Sequence, residues 1–271
     1  MIRENILVGI DFTRKLFRSR YMLRMMAVRE LKSTYVGSAF GVAWAVISPL
    51  FQLLIYGIIF GVFFNARPAP GYGTDSYMLY LLCGLVPWLF FSQTVSATSR
   101  SVSNNFSLVK KAVGFPSEIL PVVTVISNLL SHAISLVILM VIIHFMHGLQ
   151  PASPLVFVYL LFISLFAVGL GWALSGAAVF LRDIEQVLSL ALMGWFFFTP
   201  ILYSPEMAGP YKPILMINPL YHMVDGYRMA LLAGQPIHWG QVAYLGGVAL
   251  AALAVGGVSF RKMKPWFAEL L

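Results

Sequence analysis

Residues 119–146 read ILPVVTVISNLLSHAISLVILMVIIHFM, twenty-eight positions without Asp, Glu, Lys or Arg. A helix crossing the hydrocarbon core needs about 20 mostly apolar residues. This run exceeds that length and has room to tilt or extend past the bilayer. Five further runs share its character: Phe40–Phe64, Tyr77–Thr98, Leu155–Leu181, Val187–Tyr203 and Val242–Phe260. None carries an ionised side chain near its middle, and the fifth is short. The expected fold is all-α, a polytopic membrane protein with six transmembrane helices.

Composition agrees. Of 271 residues, 59% are hydrophobic and only 10% are Asp, Glu, Lys or Arg, against about 25% in an ordinary soluble domain. Mean hydropathy is +0.84. A soluble enzyme, a disordered regulator and a small secreted module are excluded, because a soluble domain of this size has no way to bury so much apolar surface. The single cysteine, Cys83, excludes a disulfide framework and a Cys-based zinc site.

The net charge of +8 has a distribution that argues for topology and against a nucleic-acid partner, which would require a basic stripe on a soluble face. Eight of the eighteen cations lie at Arg3, Arg14, Lys15, Arg18, Arg20, Arg24, Arg29 and Lys32. Arg100, Lys110, Lys111, Arg182, Arg261, Lys262 and Lys264 fall on the same side of a six-span topology, and only Arg67, Lys212 and Arg228 on the other. A split of fifteen to three puts both termini in the cytoplasm. The first long apolar run begins near position 40 with no cleavage site after it, so no signal peptide is expected. Residues 10–31 mix apolar and basic side chains, as an amphipathic helix in the cytoplasmic interface does, where anionic lipid would hold it.

The resulting organisation is an interface segment over 1–39, a transmembrane domain over 40–260 and a cytoplasmic tail over 261–271. Between spans five and six, residues 204–238 contain Pro205, Pro210, Pro213 and Pro219 among apolar stretches. They are too broken to span and too apolar for a free loop, so external re-entrant helices near an exit are expected. On the inner side, residues 99–118 read SRSVSNNFSLVKKAVGFPSE, a capped amphipathic stretch stopped by Gly114 and Pro116. Such a loop can dock onto a cytoplasmic protein.

Missing chemistry narrows the function. No Gly-Lys pair occurs, so there is no phosphate-binding P-loop. There is no H-E-x-x-H and no close pair of intramembrane carboxylates. His132 and His144 lie in span three without an evident acidic partner and read as structural. Aromatics are abundant, and those on spans one and five could face lipid or stack on sugar rings along a pore. Gly37-x-x-x-Gly41 and Gly57-x-x-x-Gly61 could permit close helix approach.

Five segments in order carry a family resemblance: RELKSTYVGSAFGVAWAVISPL at 29–50, VKKAVGFPSEILP at 109–121, FLRDIEQVL at 180–188, FFFTPILYSP at 196–205 and NPLYHMVDGYR at 218–228. The chain resembles the membrane-spanning permease subunits of type-2 ABC exporters for polysaccharides, most nearly those that export O-antigen. That resemblance implies a homodimer whose twelve helices enclose a channel, with two separate ABC ATPase subunits below. It implies a glycan on undecaprenyl diphosphate as cargo, and no cofactor in this chain, with ATP and Mg held by the ATPase. It makes 104–118 the coupling segment, with Asn104, Leu108, Lys110, Lys111, Phe115 and Glu118 as contacts, joined by Arg29, Glu30 and Lys32 of the interface helix. It suggests Tyr56, Phe60, Phe63, Phe197 and Tyr203 as channel-lining residues, and Asp225 and Arg228 at the external exit. Arg182 and Asp183 would pair locally or meet the partner. Alternatives are export of capsular polysaccharide or teichoic acid, or of a lipid or drug. A membrane-embedded glycan enzyme is disfavoured because the ten acidic residues scatter over both faces.

Overall fold

The computed structural model describes residues 20–33, 38–63, 68–111, 115–181 and 183–267. The cations at Arg3, Arg14, Lys15, Arg18, Arg67 and Arg182 lie outside the described residues, as do Gly37 and residues 112–114 and 268–271. Everything ordered into elements is helical. Among the described residues, four helices are long and apolar enough to cross a membrane: α3 (Tyr77–Ser99), α6 (Ile119–Met146), α7 (Val156–Phe180, preceded by a 3-10 turn from Ser153) and α11 (Trp239–Met263). Two are shorter, α2 (Trp44–Ile58) and α8 (Ile184–Phe198), 15 residues each. At 1.5 Å per residue each gives about 22 Å, short of the roughly 30 Å hydrocarbon core. A π-helical turn, Ile59–Phe63, prolongs α2.

The remaining helices are shorter still: α1 (Arg20–Ser33), α4 (Ser101–Asn104), α5 (Phe106–Lys111), α9 (Lys212–Met216) and α10 (Pro219–Arg228). The segment between α8 and α11 is thus a chain of short helices, as its four prolines require. Arg100 after α3 meets Glu185 at the start of α8, and Lys264 after α11 meets Glu118 before α6, so the bundle has a basic end; α10, whose Arg228 meets the start of α3 and the turn after α8, lies with α9 at a far end.

Helix α3 is the axis. Its apolar sequence is buried along almost its whole length, from Tyr77 to Ser99. It packs against α6, α7 and α10. Ser76 caps it, its hydroxyl accepting from the Leu79 N–H at 3.4 Å. The most extensive helix pair is α7 with α11, and glycine makes it possible. A Cβ on Gly256 would stand 1.9 Å from the Gly169 carbonyl oxygen, and a Cβ on Gly169 would meet the Ala252 backbone at 2.4 Å. Small residues let backbones approach this closely in lipid, where dispersion contacts replace the hydrophobic effect. Of the glycines singled out from sequence, Gly41 faces open space at φ +52° and Gly57 meets only the Met78 side chain at 3.3 Å. Around this core the outer faces of α2, α6, α8 and α11 expose large apolar side chains, among them Phe51, Val141, Met193 and Leu250.

Candidate functional site

Between α2, α3, α6 and α8 the structure holds a cavity of about 730 Å³, within the range of ligand sites. Its lining follows helical periodicity. Helix α2 contributes Ala45, Ser48, Pro49 and Gln52; α6 contributes Ser127, Asn128, Ser131, His132 and Ser135. Helix α3 adds Ser92, Gln93 and Ser96, and α8 adds Ser189. Along α3 the lining runs from Arg100 to Val86, about 21 Å of helix rise. The lining therefore runs from the basic end, taken as its mouth, to near mid-bundle, where Leu53, Val86 and Phe90 make its floor.

Several of these hydroxyls are held by their own helices: Ser92 donates to the Leu89 carbonyl at 3.3 Å, and Ser189 to Glu185 at 3.0 Å. One of the amides is held in the same way. Asn128 donates to the Thr124 carbonyl at 2.8 Å. His132, at the deep end, places Nε2 3.1 Å from the Tyr227 hydroxyl. So many polar groups on spanning helices are unfavourable against lipid, and they fit a wall that faces water or a hydroxylated ligand. The signal was present in sequence as Ser and Asn recurring on one face of span three, and the sequence reading weighed only the histidines there.

Charge gathers at the mouth. Arg100 lies 3.7 Å from Glu185, tying the ends of α3 and α8. The Glu30 carboxylate of α1 accepts from the Thr124 hydroxyl at 2.8 Å. Burial pushes the Glu30 carboxyl above its ordinary range, against the pull of that hydrogen bond.

Beyond the floor, the far half is filled by α10. Arg228 is 1% exposed. Its guanidinium donates to the carbonyls of Pro200 at 2.8 Å, Ile201 at 2.9 Å and Tyr80 at 3.1 Å, and lies 3.5 Å from the Tyr80 ring centroid. The carbonyls of Pro200 and Ile201 lie in the turn just past the end of α8, so the cation satisfies backbone that no helix serves. Gly84 makes room for it: a Cβ there would lie 2.7 Å from the guanidinium. Asp225 accepts from the Tyr72 hydroxyl and from Gln241, both at 2.6 Å. Burial, with the Asp225 carboxylate beside it, pushes the Tyr72 phenol well above its usual range, so it remains a donor. Tyr77 and Tyr80 donate to the carbonyls of Leu202 and Tyr203 at 2.6 and 3.0 Å. Asn218 caps α10 and ties it to α8: its side-chain oxygen accepts from the Leu220 N–H at 3.0 Å and the Trp195 indole at 2.9 Å, and its amide donates to the Thr199 hydroxyl at 2.9 Å. Asp225 and Arg228 are therefore buried bolts of the far end, with their charges turned inward.

The other residues singled out from sequence fall in two places. Tyr56 and Phe60 stack at 6.3 Å on the prolonged α2, half-buried against the core. Phe63 and Phe197 are exposed, and Tyr203 donates to the Phe197 carbonyl at 3.1 Å. None of these five lines the cavity. At the basic end, Asn104 and Lys110 are exposed, Leu108 and Phe115 half-buried. Lys110 lies over the Phe106 ring at 5.2 Å. Glu118 is engaged within the chain: both its carboxylate oxygens accept from Lys264 at 2.7 and 2.8 Å, and its carbonyl accepts from the Trp172 indole at 2.9 Å. Arg29 is exposed on α1, while the side chains of Lys32 and Lys111 lie outside the described residues.

An apolar helix bundle whose long helices can cross a bilayer, with a polar chamber at one end and a bolted far end, is the architecture of a multi-pass membrane protein. The chain belongs to the ABC-2 type transporter family, whose model matches residues 21–232. It is 28% identical over 265 residues to the O-antigen export system permease protein RfbA of Myxococcus xanthus, covering 96% of this chain and 99% of that protein. It is 29% identical over 255 residues to the permease of the same name from Klebsiella pneumoniae, covering 92% and 95% of the two chains. The polysialic acid transport protein KpsM of Escherichia coli is 25% identical over 242 residues, 86% of this chain and 90% of that protein.

Proposed function

We propose that this chain is the permease subunit of an ATP-driven ABC-2 exporter that moves polysaccharide of the O-antigen type outward across the bacterial inner membrane. The observation that carries the proposal is the hydroxyl- and amide-lined cavity set inside an otherwise apolar bundle. Such a wall suits a cargo rich in hydroxyls, and the full-length similarity to two O-antigen export permeases points the same way. The basic end faces the cytoplasm, as the distribution of Lys and Arg supports. Both termini lie there, and six segments cross the bilayer, the two shorter helices locally thinning it or tilting little.

The proposal extends to assembly. Two copies pair so that a channel forms between them, and Tyr56, Phe60, Phe63, Phe197 and Tyr203 contribute to its wall. Two ABC ATPase subunits dock on the 104–118 segment and on α1, supplying the ATP and Mg chemistry for which this sequence has no P-loop. The cargo arrives as a glycan on undecaprenyl diphosphate. Deletion of the chain, followed by analysis of surface glycan and of lipid-linked glycan inside the cell, tests the reading. Loss of surface polymer with internal build-up is expected. Normal surface glycan without build-up would reject it in favour of another exported substrate.

A further inference from the structure

The cavity wall is uncharged from its floor almost to its mouth. Its charged lining residues, among the described residues, are Glu30 and Arg100. Both sit at the basic end, and Arg100 is already drawn to Glu185. Deeper in, the polar groups are hydroxyls, amides and the His132 imidazole.

Three of those amides stand on three different helices: Gln52 on α2, Gln93 on α3 and Asn128 on α6. An amide donates and accepts at once. It therefore matches the hydroxyls of a pyranose, which also do both. Gln52 and Gln93 form no hydrogen bond among the described residues, although both line the cavity. A sugar carboxylate would find a different reception. It would give up water next to a wall that supplies no cation below the mouth, and an ion without a partner in such surroundings is strongly disfavoured.

We infer that this chamber, within a single subunit, holds an uncharged stretch of glycan, with Gln52, Gln93 and Asn128 as its amide partners, and that the cargo is neutral and not polyanionic. The inference rests on the export reading and adds the charge class of the polymer and the residues that meet it. It also separates this chain from its polysialic acid-transporting relatives, whose named cargo is an acid.

The test begins with the deletion strain. The lipid-linked polymer that builds up is isolated and passed over an anion exchanger, and its uronic and sialic acid contents are measured. A neutral polymer is expected once the lipid diphosphate has been cleaved off. The strain is then complemented with wild type, with Gln52→Ala/Gln93→Ala and with Gln52→Asn/Gln93→Asn, while surface polymer, membrane abundance of the chain and co-purifying ATPase are followed together. The alanine pair should lower surface polymer by roughly fivefold or more, the effect of losing one or two hydrogen bonds, at unchanged abundance and assembly. The asparagine pair should recover part of the loss. An acidic polymer would overturn the inference and leave the export reading standing. Normal export by an alanine pair that assembles would overturn the amide assignment. Surface glycan that survives deletion of the chain would overturn the export reading and the inference with it. Because the polymer's charge is read without any variant, a substitution that fails to fold does not shelter the inference.

Discussion

Replacing Arg228 should loosen the far end of the bundle more than any other single change there. The side chain is 1% exposed and donates to three carbonyls at 2.8, 2.9 and 3.1 Å. The Tyr80 carbonyl keeps its partner within α3, but the carbonyls of Pro200 and Ile201, left unpaired, cost about 1–3 kcal/mol each, and loss of the contact with the Tyr80 ring adds up to about 2 kcal/mol. Against this stands the relief of no longer burying a guanidinium, worth several kcal/mol. The net expectation for Arg228→Ala is a destabilisation of about 3–5 kcal/mol, the usual consequence of breaking a buried charged contact. For a domain of this size that corresponds to a fall in Tm of about 6–20 °C. Arg228→Lys keeps the charge but not the planar fork, so it should lose roughly half as much. The assay is thermal unfolding of the purified protein in one detergent, read by intrinsic tryptophan fluorescence. If Arg228→Ala melts within about 2 °C of the parent, the cation does not bolt α8 to α10, and the reasoning fails.

Four further outcomes follow from the same geometry. Gly256→Ala should force α7 and α11 apart and lower stability by about 1–3 kcal/mol or more, whereas Gly257→Ala, whose added Cβ would meet only the Trp172 ring at 3.8 Å, should melt like wild type. Asn218→Ala should cost about 2 kcal/mol through the lost cap and cross-links, and Asn218→Asp, which keeps the acceptors, should cost less in the same melting assay. Lys264→Ala removes a half-exposed ion pair with Glu118 and should cost about 1 kcal/mol at most, an effect that shrinks when the melt is repeated in high salt. Lys110→Glu with Lys111→Glu should reduce co-purification of the ATPase subunit while leaving Tm unchanged, and undiminished co-purification would remove the docking role of the 104–118 segment.

The membrane class was legible because it depends on composition and run length, which are local. Residues 119–146 announce a spanning helix, and one forms over Ile119–Met146. The proline-broken stretch after residue 204 likewise announced short helices, and short helices occupy it. What stayed hidden depends on partners distant in sequence. Arg228 reads as a loop cation, because nothing near it signals that the carbonyls it satisfies lie 27 and 28 residues earlier. Gly169 and Gly256 look like ordinary membrane glycines until two helices 87 positions apart are crossed. The polar chamber lies between these extremes. Its serines recur at helical spacing on span three, yet only the convergence of α2, α3 and α6 turns separate polar faces into one wall. Exposure of apolar side chains discriminates little here, since lipid and a second protein surface both cover them.

The most direct measurement places the chamber relative to the membrane. Cys83 is fully buried, so the protein carries an internal control. Ser96→Cys and Ser131→Cys each put a thiol in the cavity wall. A membrane-impermeant maleimide is added to cytoplasm-out and to right-side-out vesicles, and labelling is quantified by mass. The account predicts labelling of both introduced thiols in cytoplasm-out vesicles only, with Cys83 untouched. Labelling confined to right-side-out vesicles, or absent from both, would contradict a wet chamber that opens toward the cytoplasm.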